Sequence, residues 1–395
     1  SEFESEFMNA QHDSTLTSQQ FVNSLWALAK CRIHPSSQFM KTWITSFIQE
    51  HSQTLSSQEL TSSIWAFARL ESKCSAEFIE VWFDAARREE SGFLLGYCSL
   101  CFWSFGVLGV TPTHQFLDLL YRLFESEQEA ITSQILSNCM HAFAKLNLDP
   151  DEKFVDEWMN QFVRLSSSFS ALELSTSMWS LSKAQIDVTP EVMNAFYDQF
   201  KEIKMKFTGK QLAMCMWSFA HWNLKPTDEF IQYWSIAFCN VSKSTNARTI
   251  STTMWSFGRL QLTLSSNVYN AWKARFFNTV QYMNSQELAN SIWGLSRCVS
   301  DPGSMLLEAW CENASKKLSS FNPHEYTNSL YAFGKMRKSP SELFIELWMN
   351  RFDSAVSSLN AYELVLVLWS LARLEARLSK EFRDSWKMHF IQKHK

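Results

Sequence analysis

Apolar residues recur along the chain with the spacing of a helix. In "LTSSIWAFARL" the residues Leu60, Ile64, Phe67 and Leu70 fall three or four apart, and the positions between them are mostly small or polar. Close variants return as "VNSLWALAKC", "STTMWSFGRL", "TNSLYAFGKM" and "LVLWSLARLE". Aligned on its central aromatic, the phrase falls at Trp26, Trp65, Trp103, His141, Trp179, Trp217, Trp255, Trp293, Tyr331 and Trp369, in steps of 39 once and 38 eight times. Seventeen residues after each comes a second large residue: Trp43, Trp82, Leu120, Trp158, Phe196, Trp234, Trp272, Trp310, Trp348 and Trp386. A period this strict outranks any domain count taken from length.

With the first aromatic of each unit numbered zero, the polar positions mark the helix ends. Position −9 holds Thr17, Ser56, Thr132, Ser170, Thr208, Asn246, Asn284, Asn322 or Asn360, all able to cap a first turn, and Leu94 in the third unit. At −6, Gln20, Glu59, Glu173, Gln211, Glu287, Glu325 and Glu363 complete capping boxes. A first helix from about −8 to +5 is therefore predicted, with −5, −1, +2 and +5 as its apolar face and small residues at −4, −2, +1 and +3 for close helix approach. Prolines at +9 (Pro35, Pro112, Pro150, Pro226, Pro302, Pro340) end one element and lead into a second helix, which runs to about +23 with apolar residues at +13, +17 and +21. The expected fold is all-α: a right-handed superhelical α-solenoid of about ten stacked antiparallel helix pairs, one domain over residues 8–395. The opening "SEFESEF", residues 1–7, reads as vector-derived sequence ahead of Met8, with neither signal peptide nor Arg-rich transit sequence after it.

Composition adds limits. Hydrophobic content of 46% is ample for a core, and no run approaches the ~18 apolar residues of a membrane span. The nine cysteines follow no framework spacing, which suits a reducing compartment. Cys98 and Cys101 form a CxxC, but in register they occupy apolar or small positions, so core packing is expected over metal or redox chemistry. The formal charge of −4 confines any nucleic-acid footprint to a local stripe. No phosphate loop, nucleophile elbow or metal spacing is present, and no enzyme activity or cofactor is expected. The two aromatic columns could form a base-stacking platform, but the apolar surface that stacking pairs must bury favours placing both in the core between repeats.

One column is not required by packing. Position +4 reads Lys30, Arg69, Val107, Lys145, Lys183, His221, Arg259, Arg297, Lys335 and Arg373, while acidic residues crowd onto the second helix. Cations at a helix C-terminus gain from the macrodipole. Stacked, they would also form a ladder with a rung about every 10 Å, suited to an extended phosphate backbone. Position −3, seven residues earlier and on nearly the same face, offers Asn23, Ser62, Asn138, Thr176, Thr252, Asn290 and Asn328, with Leu100, Met214 and Leu366 as apolar exceptions. Position −7 offers Gln19, Gln58, Gln134, Lys210, Arg248, Gln286 and His324, with Gly96, Leu172 and Tyr362 elsewhere. Variation confined to one stripe is what a reader of one base per repeat would show; an unconstrained solvent face would show it too.

These phrases resemble the 38-residue units of the octotricopeptide-repeat family, which is related to the FAST-kinase-like and RAP-domain proteins. "LSSQELTSSIWAFARL" and "MNSQELANSIWGLSRC" match the family phrase closely, "FNPHEYTNSLYAFGKM" less so, and "SPSELFIELW" and "DPDEKFVDEW" are looser versions of its other helix. The resemblance spans about residues 15–393. It implies sequence-selective single-stranded RNA binding in organellar RNA stability, maturation or translation, in a mitochondrion or chloroplast. The +4 column would contact phosphate, and the −3 and −7 columns would contact bases. Unit three ("GYCSLCFWSFGVLGV") departs from the pattern and would leave a gap. Leu366 and Val367 make the last unit an end cap or a candidate protein contact. The alternative, a protein-binding helical scaffold in the cytoplasm or a microbial effector in a host cell, stays open, as does the oligomeric state.

Overall fold

The computed structural model describes Glu4, Glu6, Phe7 and residues 16–393; the rest of the segment read as vector-derived, and Met8, lie outside the described residues. Twenty helices and no strand occur among the described residues. The chain divides into two compact units, Ser1–Phe200 and Lys201–Lys395. The first holds α1 (Ser18–Cys31), α2 (Ser37–Ser46), α3 (Ser57–Arg69), α4 (Ala76–Arg88), α5 (Leu95–Leu108), α6 (His114–Ser126), α7 (Ser133–Leu146), α8 (Glu152–Arg164), α9 (Ala171–Lys183) and most of α10 (Pro190–Ile203). The second holds α11 (Gly209–Trp222), α12 (Asp228–Val241), α13 (Ala247–Leu260), α14 (Ser266–Thr279), α15 (Ser285–Cys298), α16 (Ser304–Lys317), α17 (Pro323–Met336), α18 (Glu342–Ala355), α19 (Ala361–Arg373) and α20 (Lys380–Lys393).

Within each unit the odd-numbered helices, the first of each repeat, pack side by side in chain order. Small residues allow this approach. A methyl group added at Gly258 would come within 2.7 Å of the Gly294 Cα, and one at Gly334 within 2.9 Å of the Ser370 Cα. At Gly294 it would meet the Met254 carbonyl oxygen at 2.3 Å. Positions +3 and −1 of one helix thus meet +1 of the next. The even-numbered helices form the second layer, behind the first and more loosely packed among themselves.

The ends follow the polar code. All seven predicted capping boxes form, from Thr17 with Gln20 to Asn360 with Glu363. Where Leu94 replaces the cap of α5, the Leu95 amide donates instead to Glu127 Oε2 at 3.0 Å, so a carboxylate from the following turn fills the vacancy. Two devices go beyond the sequence reading. Position +6 adopts left-handed backbone in nine repeats, at Arg32, Glu71, Asn147, Gln185, Asn223, Gln261, Arg337 and Glu375 (φ 50–57°) and at Gly109 (φ 70°). There it closes the first helix. Position +10 caps the second helix, as at Ser75 and Thr227, just after the proline position.

The +17 column is the centre of the fold. Trp43, Trp82, Trp158, Trp234, Trp272, Trp310 and Trp348 are fully buried, as are Leu120 and Phe196. Every Trp in this column donates its indole N–H to the carbonyl of residue −5 in its own repeat, at 2.8–3.2 Å. Burial of a large ring and satisfaction of its polar atom are thereby achieved together.

Candidate nucleic-acid interface

At about 100° per residue, positions −7, −3, 0 and +4 fall within an arc of about 60° on each odd-numbered helix. The apolar positions −5, −1, +2 and +5 centre on the opposite side. Neighbouring odd helices cover the flanks, so only this arc faces solvent. It carries the candidate residues. At −7, Gln19, Gln58, Gln134, Lys210, Arg248, Gln286 and His324 are exposed. At −3, Asn23 is exposed, and Ser62, Asn138, Thr176, Thr252, Asn290 and Asn328 are partly so. At +4, Lys30, Arg69, Lys145, Lys183, His221, Arg259 and Arg373 are exposed, and Arg297 and Lys335 partly so. One pair is engaged internally: Asn328 Nδ2 and His324 Nε2 lie 2.8 Å apart.

The zero column corrects the sequence reading. It is not core. Trp26 and Trp369 are each 38% exposed, and the rings between them are partly exposed. The physical reason is angular: position zero lies about 160° from the centre of the apolar face, at one edge of the solvent arc. Successive rings meet tilted or stacked, Trp26 with Trp65 at 6.4 Å, His141 with Trp179 at 5.8 Å, and Tyr331 with Trp369 at 5.4 Å. Within each unit, aromatic contacts of this kind therefore line the candidate interface where these repeats adjoin.

Cations sit on rings of this column. Lys30 lies over Trp26 (5.8 Å), Arg297 over Trp293 (4.8 Å) and Arg373 over Trp369 (5.1 Å), each one turn along its own helix. Lys145 lies over Trp179 of the next repeat at 5.6 Å. Some also close the preceding helix. Arg297 Nε donates to the Gly258 carbonyl (2.9 Å), Arg373 Nε to that of Gly334 (3.5 Å), and Lys183 Nζ to Asn147 Oδ1 (3.2 Å). Arg297 and Arg373 thus bond a carbonyl in the last turn of the preceding helix, and Lys183 bonds the side chain that follows such a turn.

Carboxylates lie elsewhere. Most ion pairs among the described residues, such as Arg122–Glu90, Lys153–Glu125, Lys201–Glu229 and Lys316–Glu312, belong to the even-numbered helices and the turns that follow them, while Lys338–Asp301 joins two turns that follow odd-numbered helices. Among the described residues, no salt bridge includes a +4 cation. Among the described residues, the +4 cations thus have no carboxylate within ion-pair distance.

Repeat three interrupts the stripe. Val107 (36% exposed) replaces the cation, Leu100 the polar −3 residue and Gly96 the −7 residue, beside an exposed Leu94. In the last repeat Val367 is fully buried, and only Leu366 of that pair reaches the surface.

The cysteine motif belongs to the core. Cys98 and Cys101 are fully buried, and burial pushes the Cys101 thiol up to about 12 and the Cys98 thiol well above its ordinary value. Thiols held protonated in this way are poor metal ligands and poor nucleophiles. No cluster of metal-ligating side chains occurs among the described residues, and none of their helices is long and apolar enough to cross a membrane.

A search of curated proteins gives no significant match. Among protein families, residues 104–300, just under half the chain, match the model described as "Tbc2 translation factor, N-terminal domain", a helical-repeat family and not a known class of enzyme.

Proposed function

We propose that this chain binds single-stranded RNA along the solvent arc of its odd-numbered helices and acts in post-transcriptional gene expression, as the matched translation-factor family would have it. The observation that carries the reading is a repeated column of cations, four of them seated on aromatic rings and none with a carboxylate partner among the described residues, beside side chains that change from repeat to repeat. Cations at +4 neutralise phosphates and release counterions. Amide, hydroxyl and cationic groups at −3 and −7 face the bases, one repeat to one nucleotide. The similarity to a translation-factor family supports a place in organellar gene expression, and RNA stability, maturation or translation in a mitochondrion or chloroplast is the role proposed within it.

Selection of bound RNAs from a random single-stranded pool tests this directly. A shared motif of up to about ten nucleotides is expected, one per repeat, and a protein that enriches nothing over background contradicts the proposal. A protein-scaffold reading draws on a different surface. Met305, Leu343 and Ile236 are 67%, 59% and 54% exposed on the even-numbered helices, where a partner helix would find apolar contacts. Partner capture that survives nuclease treatment is its signature.

A further inference from the structure

The +4 cations are not equivalent, and the difference assigns two of them a task beyond charge. Arg297 and Arg373 share a mounting. Each guanidinium lies over the indole one turn before it, at 4.8 and 5.1 Å. Each also donates from Nε to the carbonyl of a glycine, Gly258 or Gly334, at +3 of the preceding helix. Those two glycines are the points where a side chain would strike the neighbouring helix backbone, at 2.7 and 2.9 Å. Close helix approach, a bare carbonyl and an indole together restrain the arginine, more tightly at Arg297 (2.9 Å) than at Arg373 (3.5 Å). Lys145, by contrast, reaches over a ring of the next repeat through a flexible stem and a round ammonium.

A guanidinium seated over an indole leaves its other side open toward the solvent arc, where Arg373 is exposed and Arg297 partly so. A flat, rigid, weakly hydrated cation at that place is a stacking surface, and its ordering cost has already been met by the fold. Resting on the RNA-binding reading above, we propose that Arg297 and Arg373 are nucleobase-stacking sites. Each takes one unpaired base of a single-stranded RNA on its outer face, without regard to base identity, while the lysines and the unpinned Arg69 and Arg259 serve the phosphates. The order indole, guanidinium, base forms a three-layer stack at repeats eight and ten.

The test keeps charge and removes planarity. R297K/R373K is compared with the wild-type chain on two probes at fixed salt: a random-sequence RNA pool of about twelve nucleotides, and an abasic ribose-phosphate chain of the same length. The expected result is a loss of roughly tenfold or more in affinity for the RNA pool, little change for the abasic chain, and an unchanged salt dependence. Equal losses on both probes, or wild-type affinity of the variant for RNA, would overturn the proposal. Should the double variant melt early, R373K alone carries the same comparison at about half the logarithmic effect. Failure of the wild-type chain to bind RNA at all would remove the parent reading too, and is distinguished by being seen before any substitution is made.

Discussion

Two columns of aromatic residues run through this molecule, nearly identical in composition and opposite in physics. The +17 ring is sealed between the two layers, with its indole N–H bound to a carbonyl of its own repeat, as Trp272 is to Ile250 at 2.8 Å. The zero ring stands at the outer edge of the first layer, partly in water and in several repeats beneath a cation. The same residue type serves cohesion in one place and presentation in the other. What separates them is the helical angle to the apolar face. Large repeated aromatics in a solenoid are therefore not all core, and the wheel position decides which are.

The comparison can be broken by substitution. Trp272→Ala removes a fully buried ring and should cost about 3–5 kcal/mol of the stability of its unit, read from chemical denaturation. Trp255→Ala, at the partly exposed position, should cost about 1–2 kcal/mol, because part of its surface is already hydrated. It should weaken RNA binding more than Trp272→Ala does in whatever fraction of that variant stays folded. Equal destabilisation by the two substitutions would erase the distinction. The smallest stability effect belongs to Val107→Lys, within about 0.5 kcal/mol of wild type. It supplies the missing cation of repeat three and should steepen the salt dependence of RNA binding by about 0.7 in the log–log slope. A slope that does not move would place repeat three outside the RNA path.

Much of this was legible before any coordinates. Caps at −9 and −6, small residues at +1 and +3 and the prolines at +9 specify the helices closely, because each is a local device with a local cause. The exposure of the −7, −3 and +4 columns also followed from spacing. The zero column departs from the core placement that its aromatic content suggests, although its place on the wheel, within about 60° of −7, +4 and −3, is set by the spacing. The left-handed residues at +6 were hidden because Arg32, Glu71 and Gln261 are not residues that announce such a turn. The pinning of Arg297 depends on a carbonyl 39 residues earlier, which no local pattern reveals.

The account stands on the +4 cations meeting phosphate. The most direct measurement is the salt dependence of binding to single-stranded RNA by the wild-type chain and by the triple variant Lys145→Ala, Arg259→Ala, Lys335→Ala. A steep slope for the wild type, reduced by about 2 in the variant at about 0.7 per lost contact, is the predicted result. Slopes that coincide, with both proteins folded, would contradict it.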